Sequence, residues 1–395
     1  MTWLKHMHDI HQISGHQLTL MQSGTEFFPQ LCADIDSAHY SIYLETYIFA
    51  ADQAGGMVAD ALQRAARRGV EVRLLLDGYG SAELPQQWVE DFRLAKVQVR
   101  WFRRDISPFT LRRYRRGMLR RLHRKMVVID GDVAFVGGIN IINDIPAYVD
   151  LSAPQLDYAV RVKGRIASEI QTTMRHLWDV VSWANFRRRE IKFRRLLTDI
   201  RRPIIFPNIM FMMRDNVRHR RDIEREYLNA IKAAQHEIII ANAYFLPGRV
   251  FRQALVDSAR RGVSVVLLLQ GKVEFWIQHY ATHSLYEELL SVGIEIYEYQ
   301  SSYLHAKVAV IDGLWATVGS SNIDPFSLLL AREANLVVRH AGFAAELRAS
   351  LLDIIKNEVS RVEFTKESYL VSFLSRISYS VIRFLVGMVG YSKWH

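Results

Sequence analysis

The chain has 395 residues, of which half are hydrophobic, and a formal net charge of +10 at pH 7. This length exceeds one ordinary core and predicts two domains or one large duplicated domain, while the apolar share excludes a disordered chain. The positive charge favours a polyanionic partner, either nucleic acid or an anionic membrane surface. Because Cys32 is the only cysteine, the sequence excludes internal disulfides and cysteine-based metal clusters.

The N-terminal segment, residues 1–16, lacks the apolar core that a signal peptide requires. The protein is therefore expected to stay in the cytosol.

A strand, a helix and a second strand then follow one another, and the same order recurs in the second half. The first copy has the β-branched and aromatic pattern of a strand at 41–49, and its helix ends at Gly69 before a buried strand at 70–77. The second copy repeats this order from 237–245, with Gly262 at the end of its helix. Such βαβ units predict a mainly parallel sheet covered by helices.

Each half next reaches the same motif, a His-x-Lys followed by Asp-Gly and later by Asn. The segments 123–140 and 305–322 are identical at ten of eighteen aligned positions. One such motif alone would be weak evidence, but two within the same flanking frame are specific. The doubled motif suggests one active site assembled from two halves.

Alternation along a strand places residues i and i+2 on one face, so His123 points with Lys125, and His305 with Lys307. An imidazole beside an ammonium is a poor metal site but a good phosphate site. One neutral histidine can attack phosphorus while the other passes protons. Two asparagines that close the motifs could add amide donors to the phosphate oxygens: Asn140 and Asn322.

Four carboxylates belong to the candidate site. Asp130 and Asp312 complete the two motifs and are counted with the catalytic set, although their place between a strand and a glycine favours a structural role in the turn. Asp157 and Glu333 are the candidates for orienting the histidines, since a carboxylate on the second imidazole nitrogen fixes the tautomer.

Three further residues could reach the cleft between the halves. Glu45 lies in an apolar strand, where an unpaired carboxylate would be costly, so it is expected to be paired or functional. Tyr47 and Tyr244 recur at equivalent places, and a role as core aromatics is favoured over a role in the cleft.

The remaining segments are basic or amphipathic. The insertion at 103–125 and the stretch at 187–202, which is interpreted as a linker, are rich in Lys and Arg. The C-terminal segment, 363–395, has apolar residues at helical spacing, interrupted by arginines on the opposite side. It could lie in a membrane interface or pack on the protein core.

The doubled His-x-Lys-x4-Asp motif, with Gly-Ser-Ser-Asn after its second copy, resembles the phospholipase D superfamily. Within that superfamily, the stretches Leu-Glu-Thr-Tyr-Ile-Phe and Ala-Asn-Ala-Tyr-Phe-Leu-Pro-Gly resemble bacterial cardiolipin synthases of the B type. The resemblance implies an α/β fold of two pseudo-symmetric α/β/α sandwich domains, at 17–200 and 201–362. It also implies mixed, mainly parallel sheets with the active site between the domains.

The resemblance also implies a role for each candidate residue. His123 would be the nucleophile that forms a phosphohistidine, and His305 the general acid and base, with no metal or cofactor. Lys125, Lys307 and the two asparagines would bind phosphate, and the orienting acids would act across the interface, Asp157 on His305 and Glu333 on His123. Ser320 would add a substrate contact on one side only, since its counterpart is Gly138.

The implied reaction moves a phosphatidyl group from one phosphatidylglycerol to another and releases glycerol. An anionic membrane surface is then the expected partner, which places the protein peripherally on the cytoplasmic side of the cell membrane. Another phospholipid transferase or hydrolase of the same superfamily is the alternative. Nucleic acid is not expected, because the basic insertion holds few aromatic residues for base stacking.

Overall fold

The computed structural model describes residues 9–103, 121–145, 153–186, 203–215, 219–273, 276–324 and 331–362. The predictions for most of the basic insertion, for the linker at 187–202 and for the amphipathic segment 363–395 lie outside the described residues.

The first half of the chain folds around an eight-stranded sheet. Its elements in chain order are β1 (His11–Ile13), β2 (His16–Gln22), α1 (Ser23–Asp36), β3 (Ser41–Thr46), α2 (Gln53–Arg67), β4 (Glu71–Asp77), α3 (Gln86–Leu94), β5 (Gln98–Phe102), β6 (Lys125–Ile129), β7 (Val133–Gly137), β8 (Tyr158–Lys163) and α4 (Arg165–Phe186). Because β1 pairs with β2, the sheet already begins within the segment expected to precede the first domain.

The second half folds around a nine-stranded sheet. Its elements are β9 (Ile204–Phe206), β10 (Ile209–Arg214), α5 (Asp222–Ala233), β11 (Glu237–Asn242), α6 (Arg249–Arg260), β12 (Ser264–Gln270), α7 (Trp276–His283), α8 (Tyr286–Ser291), β13 (Glu295–Tyr299), β14 (Lys307–Ile311), β15 (Trp315–Gly319), β16 (Glu333–Arg339), α9 (Ala341–Asn357) and β17 (Val359–Arg361).

The two sheets have the same strand order. The first runs β1-β2-β8-β7-β6-β3-β4-β5, and the second runs β9-β10-β16-β15-β14-β11-β12-β13, with β17 added at the edge. The predicted α/β fold with two pseudo-symmetric halves and mixed sheets is therefore confirmed. The expectation of mainly parallel sheets is wrong, because five of seven strand pairings in the first sheet are antiparallel.

A tight turn inside each motif accounts for one of the antiparallel pairings in each sheet. Asp130 and Gly131 both have positive φ, 52° and 68°, and the Asp132 N–H donates to the Ile129 C=O at 3.1 Å. Positive φ at both central residues is the geometry of the type I′ turn, for which Asp-Gly is a preferred sequence. The turn folds β7 back on β6, so the motif strand is one arm of a hairpin and not part of a βαβ crossover.

The core has three layers of apolar side chains. Helices α1, α2 and α3 pack on one face of the first sheet, and α5, α6 and α8 pack on the corresponding face of the second. A central cluster joins strand residues of both sheets, including Val128 and Val308, with α4 and α9. Because β7 and β8 lie against β15 and β16, the two motif hairpins are held close together.

Within the described residues, no helix has both the length and the apolar character needed to cross a bilayer.

The aspartate of each motif ties its hairpin to the start of a neighbouring strand. The Asp130 carboxylate accepts backbone N–H groups of His39, Tyr40 and Ser41 at 2.7–2.8 Å. Asp312 makes the same contacts with residues 235–237 at 2.8–2.9 Å. These hydrogen bonds hold β6 beside β3 and β14 beside β11.

Replacing Asp130 by Ala should therefore lower the free energy of unfolding by about 2 kcal/mol, because three N–H groups lose a charged acceptor. Asp132→Ala is the matched control, because the Asp132 side chain is 56% exposed and its ion pair with Lys163 Nζ, at 3.7 Å, is long. Such an exposed ion pair contributes less than about 1 kcal/mol. Urea unfolding, monitored by tryptophan fluorescence, measures the free energy of unfolding of both variants. Equal unfolding midpoints in the two variants would contradict the structural role.

Candidate active site

Each motif histidine follows a backbone pairing that joins the two halves of the chain. The His123 N–H donates to the Arg332 C=O at 3.0 Å, and the His305 N–H donates to the Leu156 C=O at 2.8 Å. Glu333 and Asp157 are the residues directly after these two acceptors. The pairing therefore brings the carboxylate of one half to the histidine of the other.

The side chains complete the two crossed pairs. His123 Nδ1 lies 3.0 and 3.1 Å from the two Glu333 carboxylate oxygens, and His305 Nδ1 lies 2.5 Å from Asp157 Oδ2. A carboxylate at Nδ1 holds the proton on that nitrogen and leaves the lone pair on Nε2. The pairs are the ones that the resemblance implies.

The two lysines lie against the same histidine segments. Lys125 Nζ donates to the His123 C=O at 2.8 Å, and Lys307 Nζ donates to the His305 C=O. Lys307 Nζ is also 3.6 Å from Asp157 Oδ2. Both lysines are buried, so their charges are screened little by solvent and attract an anion strongly.

Burial shifts the pKa values of these groups. It lowers the pKa of His305 to about 3, with Lys307 reinforcing the effect. It also lowers the pKa of His123, where Glu333 opposes the shift and Lys125 supports it. The pKa of Lys125 falls to about 7 through burial and the charge of Lys307. Both imidazoles are therefore neutral at neutral pH, as a nucleophile must be.

Ser320 supports Glu333 and does not face the cleft. Its side chain is fully buried, and its hydroxyl donates to Glu333 Oε2 at 2.6 Å. The expectation that Ser320 binds substrate is corrected by this contact, since the hydroxyl proton is already committed to the carboxylate. At the counterpart, Gly138, a Cβ atom would lie 2.2 Å from Asp157 Oδ1, so the position has room for glycine only.

The motif aspartates lie away from the histidines. Asp130 and Asp312 follow the far ends of β6 and β14, whereas Lys125 and Lys307 begin these strands. Their carboxylates bind backbone N–H groups of the neighbouring strand, as described above. Counting these aspartates with the catalytic set does not fit this geometry, which matches the structural role in the turn.

The motif asparagines are buried at equivalent places. Asn140 Oδ1 accepts the Ile48 N–H at 3.2 Å, which ties the end of its motif to the chain after β3. With that oxygen engaged, the amide nitrogen is the part of Asn140 that could donate to a phosphate. Asn322, the equivalent residue of the second motif, is likewise buried, with 3% of its surface exposed.

Tyr47 contacts the site, contrary to the favoured interpretation as a core aromatic. Its ring centroid is 5.0 Å from that of His123, in an edge arrangement, and 5.4 Å from Lys125 Nζ. The recurrence of tyrosine at 47 and 244 was the sequence signal for this contact. Glu45 is paired with Arg124 at 2.8 Å, with both side chains 3% exposed.

Two strand-end residues that sequence reasoning did not single out hold the histidine segments in place. Asp77 Oδ2 accepts the Leu122 N–H at 2.8 Å, and Gln270 Oε1 accepts the Leu304 N–H at 2.6 Å. Their signal is their equivalent position, at the ends of β4 and β12 after a run of leucines.

Among the residues that the structure describes, no cluster of three or more His, Cys, Asp or Glu could hold a metal ion.

The fold and the doubled His-x-Lys motif together define a two-repeat, phospholipase D-like protein. The structure is similar to phosphatidylserine synthase from Haemophilus influenzae Rd KW20, with a TM-score of 0.69, 14% sequence identity and 94% of each chain covered. It is also similar to polyphosphate kinase from Porphyromonas gingivalis, with a TM-score of 0.57, 13% identity and coverage of 94% of this chain and 53% of the other. At such identities the likeness concerns the fold alone.

Sequence comparison identifies the family. The family model described as cardiolipin synthase, PLD-like domain, matches residues 31–178 and 227–355, so the chain belongs to that family. Cardiolipin synthase B from Salmonella typhimurium is 38% identical, over 96% of this chain and 91% of its own length. Cardiolipin synthase B from Escherichia coli K12 is 37% identical with the same coverage. The resemblance found in the motifs is thereby confirmed.

The lowered histidine pKa values can be tested by ¹⁵N NMR of histidine-labelled protein. In a pH titration, both His123 and His305 should become protonated only below the ordinary imidazole pKa of about 6.5, because burial lowers both pKa values. Above that pH both should be neutral, with the proton on Nδ1. His123→Ala and His305→Ala assign the two signals. A titration midpoint at or above the ordinary value of about 6.5 for either residue would contradict the expected electrostatics.

Proposed function

We propose that the chain is a cardiolipin synthase, a phosphatidyltransferase that joins two phosphatidylglycerol molecules and releases glycerol. The observation that carries this proposal is the pair of crossed His–carboxylate contacts, with two buried lysines beside them, in a chain of the cardiolipin synthase family. The relatives named cardiolipin synthase B cover nearly its whole length.

In the first step, His123 acts as the nucleophile. Its Nε2 lone pair attacks phosphorus, the N–P bond forms and the P–O bond to the headgroup glycerol breaks. His305, protonated at Nε2, gives its proton to the departing oxygen, so glycerol leaves as the neutral alcohol. The phosphodiester anion stabilises the imidazolium of His305 once substrate is bound, and Asp157 stabilises it from Nδ1.

In the second step, the hydroxyl of a second phosphatidylglycerol takes the place of glycerol. His305, now neutral, accepts the hydroxyl proton while the oxygen attacks phosphorus. The N–P bond breaks, and His123 returns to its neutral form. The product carries two phosphatidyl groups on one glycerol, and each proton and electron pair is accounted for without a metal or cofactor.

The lysine charges stabilise the transition state, and the bound phosphodiester anion in turn favours the protonated form of Lys125, whose pKa is about 7 without it. Lys125 and Lys307 face the phosphate oxygens on which charge develops, with Asn140 and Asn322 as further donors. Removing one such fixed donor typically costs about 10²–10³ in rate. Glu333 holds His123 in the reactive tautomer and Asp157 does the same for His305, while Asp130 and Asp312 maintain the hairpins.

The substrate places the reaction at a lipid surface. The net charge of +10 suits an anionic membrane, where each cation near the surface contributes about 1 kcal/mol. We propose peripheral binding on the cytoplasmic side of the cell membrane. We also propose two domains, divided near residue 200, that each supply one motif, the first beginning with β1. Nucleic acid is not part of this proposal, because the family and the lipid reaction explain the charge.

The two histidine roles predict different outcomes for the two alanine variants. With phosphatidylglycerol labelled at phosphorus, both His123→Ala and His305→Ala should lose phosphatidyl transfer by about 10³-fold or more. Wild type quenched in alkaline detergent, where the acid-labile N–P bond survives, should carry labelled phosphohistidine, whereas His123→Ala should carry none. His305→Ala should carry it when the substrate is phosphatidyl-p-nitrophenol, whose leaving group departs without a proton from the general acid.

Unchanged circular dichroism in both variants serves as the folding control. Label retained on His123→Ala, or full transfer activity in either variant, would contradict the proposed mechanism.

A further inference from the structure

A pocket lies in the second half of the chain, next to the segment of His305, the proposed general acid and base. It has about 380 Å³ of empty space, counted together with the open solvent at its mouth. Apolar side chains, among them Phe245 and Leu269, form part of its wall. We call this space the alcohol pocket. Four polar residues are also part of its lining: Tyr244, Gln270, Lys272 and His279.

Backbone contacts connect the alcohol pocket to His305. Gln270 Oε1 accepts the N–H of Leu304 at 2.6 Å, and the N–H of the lining residue Ala243 donates to the Ala306 C=O at 3.0 Å. Leu304 and Ala306 are the neighbours of His305 on either side. The pocket wall and the histidine are thus parts of one hydrogen-bonded unit.

The same place in the first half is occupied by backbone. Asp77, the counterpart of Gln270, accepts the N–H groups of Tyr79 and Gly80 at 2.9 and 3.1 Å, which folds the following loop inward. A Cβ atom on Gly80 would lie 2.4 Å from the Tyr47 carbonyl oxygen and 2.8 Å from its ring. Ser81 Oγ also donates to that carbonyl at 2.8 Å. The loop therefore packs directly on Tyr47.

The geometry of displacement at phosphorus relates the open pocket in the second half and the closed loop in the first half to the two sides of the reaction. In an in-line attack, the departing oxygen lies opposite the attacking nitrogen. If His123 attacks, the alcohol leaves and the next alcohol enters on the side of His305. The open pocket is on that side, and the closed loop is on the side of the nucleophile.

We propose that the alcohol pocket binds the glycerol headgroup of phosphatidylglycerol, first as the leaving group and then as the acceptor. This inference rests on the proposed function and specifies its acceptor site. The Gln270, Lys272, His279 and Tyr244 side chains offer hydrogen bonds to the vicinal hydroxyls, and Lys272 attracts the phosphate of the acceptor lipid. A monoalcohol such as ethanol has a single hydroxyl and would make fewer of these hydrogen bonds.

The wall of the pocket is fixed by a second set of contacts. His283 Nε2 lies 3.0 Å from Glu298 Oε1, which also accepts the Tyr286 hydroxyl at 3.0 Å. The His283 ring stacks on Tyr286 at 4.4 Å, and its centroid is 4.2 Å from that of His279. His279 is thereby held in place, as selection between similar alcohols requires.

Competition between acceptors tests the proposal directly. Wild type, Lys272→Ser and His279→Ala are given phosphatidylglycerol vesicles with equal concentrations of glycerol and ethanol, with glycerol carrying an isotope label. Both alcohols compete for one covalent intermediate, so the product ratio does not depend on how fast that intermediate forms. The ratio of glycerol to ethanol products should fall about tenfold in each pocket variant, as expected for a lost hydrogen bond to a polyol.

Tyr79→Ser is the matched control, because Tyr79 is the counterpart of Lys272 and is 64% exposed. Its product ratio should equal that of wild type. An unchanged ratio in both pocket variants, or an equal change in Tyr79→Ser, would overturn the alcohol pocket while leaving the synthase function intact. Absence of transfer to every acceptor by wild type would overturn the proposed function itself.

Discussion

The site depends on two short backbone pairings between the halves of the chain. One joins His123 to Arg332 and the other joins His305 to Leu156. Each pairing delivers a buried carboxylate to the imidazole of the opposite half, where an unpaired carboxylate would cost several kcal/mol. Each acid pairs with the imidazole of the opposite half, so the arrangement that pairs the buried charges is also the one that builds the site. The site therefore requires both copies of the fold to be packed together.

The duplicated frame supports unequal halves. Glu333 receives a hydrogen bond from Ser320, whereas Gly138 leaves that space to Asp157. The loop after β4 fills its side of the cleft, and the matching region after β12 leaves a pocket open beside His305. These differences are consistent with one histidine that forms a covalent bond to phosphorus and another that serves successive alcohols.

Much of this arrangement could be predicted from the sequence, because the repeat and the His-x-Lys spacing leave direct marks in it. The crossed pairing of the acids was implied by the family resemblance and not by the spacing. The antiparallel pairing was missed, since a buried apolar strand looks the same in either direction, and only the Asp-Gly turn reveals the hairpin. The direction of the Ser320 hydroxyl and the contact of Tyr47 with His123 depend on strand register and on partners distant in sequence. Spacing alone does not determine either contact.

The central claim is that both motifs act on one phosphorus, with His123 attached to it and His305 opposite. A crystal structure of the protein with orthovanadate tests this most directly, because vanadate adopts the trigonal bipyramidal geometry of the transition state. The expected complex has a bond from vanadium to His123 Nε2 and an apical oxygen within hydrogen-bond distance of His305 Nε2. Vanadate bonded to His305, or bound away from both histidines, would contradict it.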